Sequence, residues 1–445
     1  MKEAGDCKLE GASDGPINLF DLQVSADLLS ACIHCGLCLP ACPTYLATGH
    51  ESQSPRGRIY AVMKSRDGNV KRALDHLSTC LGCLGCQTAC PSGVQYESIL
   101  EQVRPALAAR RSWLARTAMR LFFRLLGNYG LLRLLFIPVR IVQRLALDRL
   151  PEALVRVAPF LKGTWLGRLA SWRQFTPAVP VHKSLPPRLA GKAAMPGGEK
   201  SEQVQFFQGC VMDIFYNQVN HAAMKALAGA GLTCNLPRQT CCGALAYHAG
   251  DVDIARKLAK ENMAHFENFG GEIVVASAGC GAMLKGYEHL FAEGEPERAR
   301  AAQFSRRVKD FSQVMASHMP AAPKKSESRA GEAPLVAYHA ACHLAHAQGV
   351  RAEPEAVLNR LAAEGCLKRV PLADAEHCCG SAGIYNLLNT ELSLQVLEAK
   401  MDSLQASGAE VVVTANPGCL LQLEAGVRAR GLNVKVKHLA ELCQD

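Results

Sequence analysis

The stretch Cys32-Ile-His-Cys35-Gly-Leu-Cys38-Leu-Pro-Ala-Cys42-Pro43 returns, in spacing though not in letters, as Cys80-Leu-Gly-Cys83-Leu-Gly-Cys86-Gln-Thr-Ala-Cys90-Pro91. Both read C-x2-C-x2-C-x3-C-P, a spacing by which thiolates hold [4Fe–4S] clusters; where two runs occur, the fourth cysteine of each serves the other's cluster. Cys32, Cys35, Cys38 and Cys90 are therefore assigned to a first cubane, and Cys80, Cys83, Cys86 and Cys42 to a second. Thiolates three positions apart reach three corners of a cube from one tight loop. The small residues Gly36, Gly82, Gly85, Ala41 and Ala89 let backbone N–H groups approach the inorganic sulfides. The proline after the fourth cysteine is expected to stop that segment from continuing as a helix. Zinc knuckles pair C-x2-C units, and disulfide frameworks belong to short secreted chains. Neither accounts for two runs in identical phase.

Between the runs, Pro55-Arg-Gly-Arg-Ile-Tyr-Ala-Val-Met-Lys64 and Val70-Lys-Arg-Ala-Leu-Asp-His-Leu77 space their apolar residues as helices do. Two helices joining two cluster loops give a helical ferredoxin domain, placed at 1–104. Before it, residues 1–30 read as a mobile start followed by a short helix, Asp27-Leu-Leu-Ser-Ala31. Arg56 and Arg58 are read two ways: as donors toward a cluster or partner, or as solvated arginines at a helix start.

At 445 residues the chain has room for two or three cores. Its twenty cysteines are grouped in motifs, and residues 1–30 show no apolar core followed by a small-residue cleavage site. Metal or redox chemistry in a reducing, cytoplasmic setting is the expectation. The net charge of +9 is local in origin. Residues 101–200 hold 18 Lys/Arg against four acids (Glu101, Asp148, Glu152, Glu199), a net +14, so the rest of the chain carries about −5. One docking surface fits this better than nucleic-acid binding.

Within that basic segment, 113–150 mixes Leu and Phe with Arg120, Arg124, Arg133 and Arg140, which interrupt any run long enough to span a bilayer. Arginine-rich amphipathic helices can lie on an anionic membrane, meet a partner or pack on their own chain. The segment 105–200 is read as such helices followed by a linker at 177–200.

From about 203 strands alternate with helices, and the pattern occurs twice, at 201–322 and 333–445, with a linker at 321–333. The first copy carries Val204-Gln-Phe-Phe-Gln-Gly-Cys210, then Cys241-Cys242-Gly243, then Ile273-Val-Val-Ala-Ser-Ala-Gly-Cys280. The second carries Leu335-Val-Ala-Tyr-His-Ala-Ala-Cys342, then Cys378-Cys379-Gly380, then Val411-Val-Val-Thr-Ala-Asn-Pro-Gly-Cys419. Parallel sheets place such residues at strand ends, where α/β folds build sites. The fold class is α+β multidomain: a helical ferredoxin domain followed by a duplicated α/β cysteine-rich (CCG) domain. The two sets Cys210, Cys241, Cys242, Cys280 and Cys342, Cys378, Cys379, Cys419 read as thiol pockets for a metal, a further cluster or thiol redox chemistry. The alternative is cysteines buried as small apolar residues beside a tight turn. His248, His339, His343 and His377 lie near these motifs and are given no ligand role. Cys7, Cys234, Cys366 and Cys443 are read as ordinary thiols.

Two ferredoxin runs followed by two CCG repeats resemble the iron–sulfur subunits of respiratory 2-hydroxy-acid and glycerol-3-phosphate dehydrogenases and of heterodisulfide reductases. Cys-Pro-Thr-Tyr45, Pro55-Arg-Gly-Arg-Ile-Tyr60, Cys90-Pro-Ser-Gly-Val94, Ala278-Gly-Cys-Gly-Ala282 and Cys378-Cys-Gly-Ser-Ala-Gly-Ile-Tyr385 are most similar to the glycolate oxidase (glycolate dehydrogenase) iron–sulfur subunits. The resemblance implies an electron-transfer subunit of a flavin-dependent 2-hydroxy-acid dehydrogenase complex. In it a partner subunit carrying FAD oxidises glycolate or D-lactate, and two [4Fe–4S] clusters lead to a quinone at the cytoplasmic face of the inner membrane. No G-x-G-x-x-G follows a strand, so this chain is not expected to oxidise the organic substrate alone. A heterodisulfide-type thiol reductase is the alternative, as is an anaerobic glycerol-3-phosphate dehydrogenase subunit. The heterodisulfide branch ends each repeat in C-x-x-C, whereas Met283 and Gln422 stand at those last positions here.

Overall fold

The computed structural model describes residues 24–65, 70–158, 160, 164–173, 175–191, 202–319 and 333–443. Cys7, the start of the chain, residues 192–200 and nearly all of the linker read at 321–333 lie outside the described residues.

The N-terminal part is helical. Helices Pro55–Lys64, Val70–Ser78 and Tyr96–Ala109 pack through Ile59, Val62, Leu74, Leu77, Ile99 and Val103. In Val70–Ser78 the buried positions are Val70, Ala73, Leu74 and Leu77, a single stripe of i, i+3, i+4, i+7 spacing. Ser54 caps Pro55–Lys64 by accepting the Gly57 N–H at 3.0 Å. One expectation is corrected: Pro43 does not end a helix but opens one, Pro43–Thr48, with Cys42 as its N-cap. Proline fits there because the first turn of a helix has no intrahelical acceptor for its N–H groups.

Among the described residues, nine short strands make two sheets. The first contains β1 (Arg188–Leu189), β2 (Gln203–Phe207), β3 (Thr233–Asn235), β4 (Ile273–Val275) and β5 (Val308–Asp310), in the order β1-β3-β2-β4-β5. The second contains β6 (Leu335–Tyr338), β7 (Lys368–Arg369), β8 (Val411–Thr414) and β9 (Lys435–His438), in the order β7-β6-β8-β9. Apart from the antiparallel edge strand β1, every pairing is parallel, and the two sheets repeat one strand order. The repeated motifs of the sequence are therefore a repeated topology. One apolar core, including Val204, Phe206, Val274, Val336, Tyr338 and Val413, is shared between the sheets. Just beyond the ends of β4 and β8 the copies join directly. The Ala278 N–H donates to the Ala415 carbonyl and the Gly279 N–H to Asn416 Oδ1, each at 3.0 Å.

The basic segment folds as helices Trp113–Leu126 and Tyr129–Arg144, bent through 109° at their junction. One side is anchored to the first repeat. Phe123, Leu126, Tyr129 and Leu132 are buried there, the Tyr129 hydroxyl donates to the Thr240 carbonyl at 2.9 Å, and Arg133 grips buried Asp213 bidentately at 2.8 and 2.9 Å. The opposite side leaves Trp113, Leu121, Leu134, Leu135, Ile137, Ile141 and Leu145 exposed. Among the described residues no single helix is long and apolar enough to cross a membrane.

Each Cys-Cys-Gly turn has one geometry. Gly243 and Gly380 sit at φ 89° and 93°, and each glycine N–H turns back onto the first sulfur of its pair, at 3.5 Å (Cys241) and 3.4 Å (Cys378). A Cβ on Gly380 would also stand 2.7 Å from the Ser393 carbonyl, whereas one on Gly408 (φ 66°) meets nothing within 4 Å. Gly380→Ala is therefore expected to destabilise the protein by about 3 kcal/mol and Gly408→Ala by about 1 kcal/mol. Thermal unfolding of the two variants checks this; equal shifts would count against the steric reading.

Candidate metal centres

The two cluster loops share one backbone despite different letters. In the first, His34 and Gly36 are left-handed (φ 56° and 88°); in the second, Gly82 and Leu84 occupy the same two positions with φ 63° and 64°. A non-glycine residue held left-handed costs about 1 kcal/mol or more. His34 and Leu84 thus show that the curl is imposed by the loop rather than chosen residue by residue. Such turns direct successive N–H groups inward, the arrangement that suits bound sulfide and thiolate. The Gly82 N–H lies 3.4 Å from Cys80 Sγ.

Cys42, Cys80, Cys83 and Cys86 line one small cavity together with Arg58 and Tyr96. The structure thus brings together the four residues assigned to the second cubane, the crossed Cys42 included. Cys32, Cys38 and Cys90 pack at the edge of the helical core, while Cys35 is exposed. Burial pushes the thiols of Cys38, Cys42 and Cys86 above the ordinary range. Positive charge or metal must offset that before these sulfurs are thiolates. Arg58 supplies part of it. It is fully buried, donating from Nε to the His76 carbonyl at 2.8 Å and from its terminal nitrogens to Thr44, Gln53 and Thr79, with Cys42 Sγ at 4.0 Å. Burial opposes its charge, but Cys80, Tyr96 and Cys42 outweigh it and its pKa moves up. Of the two readings of Arg58, the donor toward a cluster is the one its surroundings support. Arg56 reaches the His34 carbonyl at 3.1 Å while paired with Glu51. Four sulfurs around one cavity, inward N–H groups and a buried cation fit an anionic iron–sulfur cluster.

A larger cavity of about 570 Å³ lies between the second loop and the two repeats. All eight CCG cysteines line it, facing Cys80, Leu81 and Gly82 across the space. The second repeat touches the cluster loop: Cys83 bonds Cys378, the Tyr385 hydroxyl donates to the Thr79 carbonyl at 2.9 Å, and His346 meets Thr88 Oγ1 at 3.0 Å. In the first repeat the sulfurs form a chain, Cys210 to Cys241 at 3.4 Å and Cys242 to Cys280 at 3.3 Å. Hydrogen bonds from Cys210 and Cys242 hold Cys241 well below the usual thiol range, while both of those neighbours are pushed up.

The second repeat forms the same chain, Cys342 to Cys378 to Cys379 to Cys419, and adds contacts of its own. Cys342 also meets His343 Nδ1 (3.5 Å), and Cys379 and Cys419 face His339, with one donor atom from each of these three within 4.8 Å of the others. His339, given no role in the sequence reading, is fully buried and neither ring nitrogen makes a hydrogen bond of proper geometry. Burial, then the charge of Lys400, holds its pKa well below the usual imidazole range despite the Ala375 carbonyl. Its only signal in the sequence was a position three residues before Cys342. The places of the missing fifth cysteines are filled for other purposes. Met283 packs into the core of the first repeat, and Gln422 is fully buried between Asn386 (3.1 Å) and Ser393 (2.9 Å).

These centres define an iron–sulfur protein that joins a dicluster domain to duplicated CCG domains. Residues 28–94 match the 4Fe-4S dicluster domain family, and 204–285 and 336–424 match the cysteine-rich (CCG) domain family. The chain is 36% identical over 441 residues to a probable glycolate oxidase iron–sulfur subunit of Bacillus subtilis, covering 96% of this chain and 95% of that one. It is 29% identical over 425 residues to the glycolate oxidase iron–sulfur subunit of Escherichia coli, covering 94% of each. Lactate utilization protein A of an Exiguobacterium is 30% identical over 244 residues, 54% of this chain and 97% of that protein. The chain belongs to the family of glycolate oxidase iron–sulfur subunits.

The helix Tyr96–Ala109 walls the cavity with Leu100, Arg104 and Leu107. On its flank, burial and neighbouring Glu97 raise Glu101 to about 7 from an ordinary 4.5. The fold therefore prefers Glu101 protonated, a preference the unfolded chain lacks. Its cost to stability is absent below about pH 4.5, grows through the interval and is complete above about pH 7. Glu101→Gln should raise the melting temperature at pH 8 and leave it unchanged at pH 4.5; the same increment at both pH values would contradict this.

Proposed function

We propose that this chain is the electron-transfer subunit between a flavoprotein that oxidises glycolate or D-lactate and a membrane quinone. The observation that carries the reading is the order of sites along the molecule, from exposed Cys35 inward to Cys83, which touches the second repeat at Cys378. Cys32, Cys35, Cys38 and Cys90 would hold the first [4Fe–4S] cluster, and Cys80, Cys83, Cys86 and Cys42 the second. When bound, these clusters supply one-electron carriers that split the two-electron output of a flavin.

The outer loop offers a docking surface. Ile33 and Leu37 flank Cys35 with 69% and 58% exposure, and Tyr60 and Met63 are also exposed. An apolar rim around an outward-facing ligand suits a protein partner, here the FAD-carrying subunit. On the basic helices, Leu134, Leu135, Ile141 and Leu145 are exposed, with exposed Arg144 and Arg149 close in sequence, and neither helix alone is long and apolar enough to cross a bilayer. Apolar side chains that enter the acyl boundary with arginines at the headgroups describe a peripheral helix on an anionic surface. This supports placement at the cytoplasmic face of the inner membrane.

Cys35→Ser should remove the first cluster, about four irons per chain. In the reconstituted complex it should abolish quinone reduction while substrate still reduces the partner's flavin. Undiminished quinone reduction would overturn this wiring. The double variant Leu134→Asp/Ile141→Asp should weaken binding to vesicles containing anionic phospholipid by at least about tenfold in cosedimentation, with iron content unchanged; equal binding would remove the membrane surface from the proposal.

A further inference from the structure

The two copies of the CCG domain are unequal in a way their cysteines do not reveal. Three residues before Cys210, at the end of β2, stands Phe207, buried in the core against Phe266. Three residues before Cys342, just after β6, the same place is taken by His339. A phenyl ring there needs no partner. An imidazole does, and His339 is fully buried with the Ala375 carbonyl close by but neither nitrogen in a hydrogen bond of proper geometry. Facing it are Cys379 and Cys419, so that one nitrogen and two sulfurs lie within 4.8 Å of one another.

We propose that His339, Cys379 and Cys419 bind a single soft divalent cation, Zn²⁺ in the first instance, in the second repeat only. Tetrahedral zinc with Zn–S of about 2.3 Å and Zn–N of about 2.0 Å sets its donors about 3.5–3.8 Å apart. Donors already within 4.8 Å of one another need to move little. Thiolates of an iron–sulfur cluster bind different irons and stand farther apart, separated by the body of the cluster. Thiolate with imidazole is the donor set that selects zinc among available divalent ions. The surroundings agree with a charged centre. Lys400, itself buried, donates to the Asp374 carbonyl and interacts electrostatically with Cys379, Cys378 and Cys419. Two thiolates neutralise the ion, so the lysine charge favours an anionic fourth ligand. Cys379 and Cys419 line the large cavity, from which that ligand can come, as does neighbouring Cys378. Asn416 Nδ2, 3.7 Å from Cys419 Sγ, fixes one sulfur from behind. Gln422, held by Asn386 and Ser393, closes the position from which a fifth cysteine would have recruited a larger cluster.

The site is independent of the assigned partner and acceptor, and its test reads metal rather than turnover. Full-length protein is purified anaerobically, with iron and zinc counted per chain and the zinc K-edge absorption recorded. The expected result is one zinc beside eight irons, with a first shell containing two sulfurs and one imidazole nitrogen. His339→Phe, which installs the first repeat's residue, should lose the zinc and keep the eight irons. Three results overturn the proposal: no metal beyond eight irons, iron clearly above eight with no zinc, or zinc retained at full occupancy in His339→Phe. Should that variant fold poorly, the wild-type edge decides alone, since a shell of sulfur without imidazole also overturns it.

Discussion

A thiolate taken out of water must have its charge answered, and seven of the eight CCG cysteines are buried around a single cavity. This constraint organises the molecule. Sulfur in such density is tolerable only with metals, hydrogen bonds from neighbouring thiols and backbone, or nearby cations. The structure supplies the protein's share of each: glycine N–H groups on Cys241 and Cys378, Lys400 beside the second repeat, and Arg58 beneath the inner cluster loop. The fold exists to hold these together. Parallel strands bring their cysteines to one edge, and the Ala278–Ala415 and Gly279–Asn416 bonds set the two edges face to face.

Duplication explains the economy of this design and also its asymmetry. Once two copies share a core, each can drift only where the shared core does not depend on it. Phe207 and His339 occupy such a place, since both are buried beside cysteines yet make different demands. The same is true of Met283 and Gln422, one absorbed into apolar packing and the other into a closed amide–hydroxyl network. The thiol sets consequently differ. Both are chains of sulfur–sulfur contacts, but the second also reaches outward, to Cys83 from Cys378 and to His339 from Cys379 and Cys419.

Much of this was legible in the sequence because cysteine spacing is local. The two runs, the CCG pairs and the duplicated strand pattern each sit within a few residues, and the helices between the runs show their stripe directly. What escaped was whatever depends on distant contact. His339 is a lone histidine until β6 and the Cys378-Cys379-Gly380 turn meet. Arg58 reads as a helix-start arginine until Gln53, Thr44 and Thr79 close over it. Strands of two or three residues, such as β3, β5 and β7, carry too few side chains for any alternation to show. Pro43 misled because a proline that ends one element can equally begin the next.

The contrast between the two cluster loops has a consequence for handling the protein. Cys35 faces solvent between Ile33 and Leu37, whereas Cys42, Cys83 and Cys86 are enclosed by Arg58, Tyr96 and the second repeat. With the ligand sets proposed above, dioxygen reaches the outer centre first. Air should bleach the protein in two stages, the second far slower. Docking of a partner over Ile33 and Leu37 would slow the first stage, so assembly protects as well as connects.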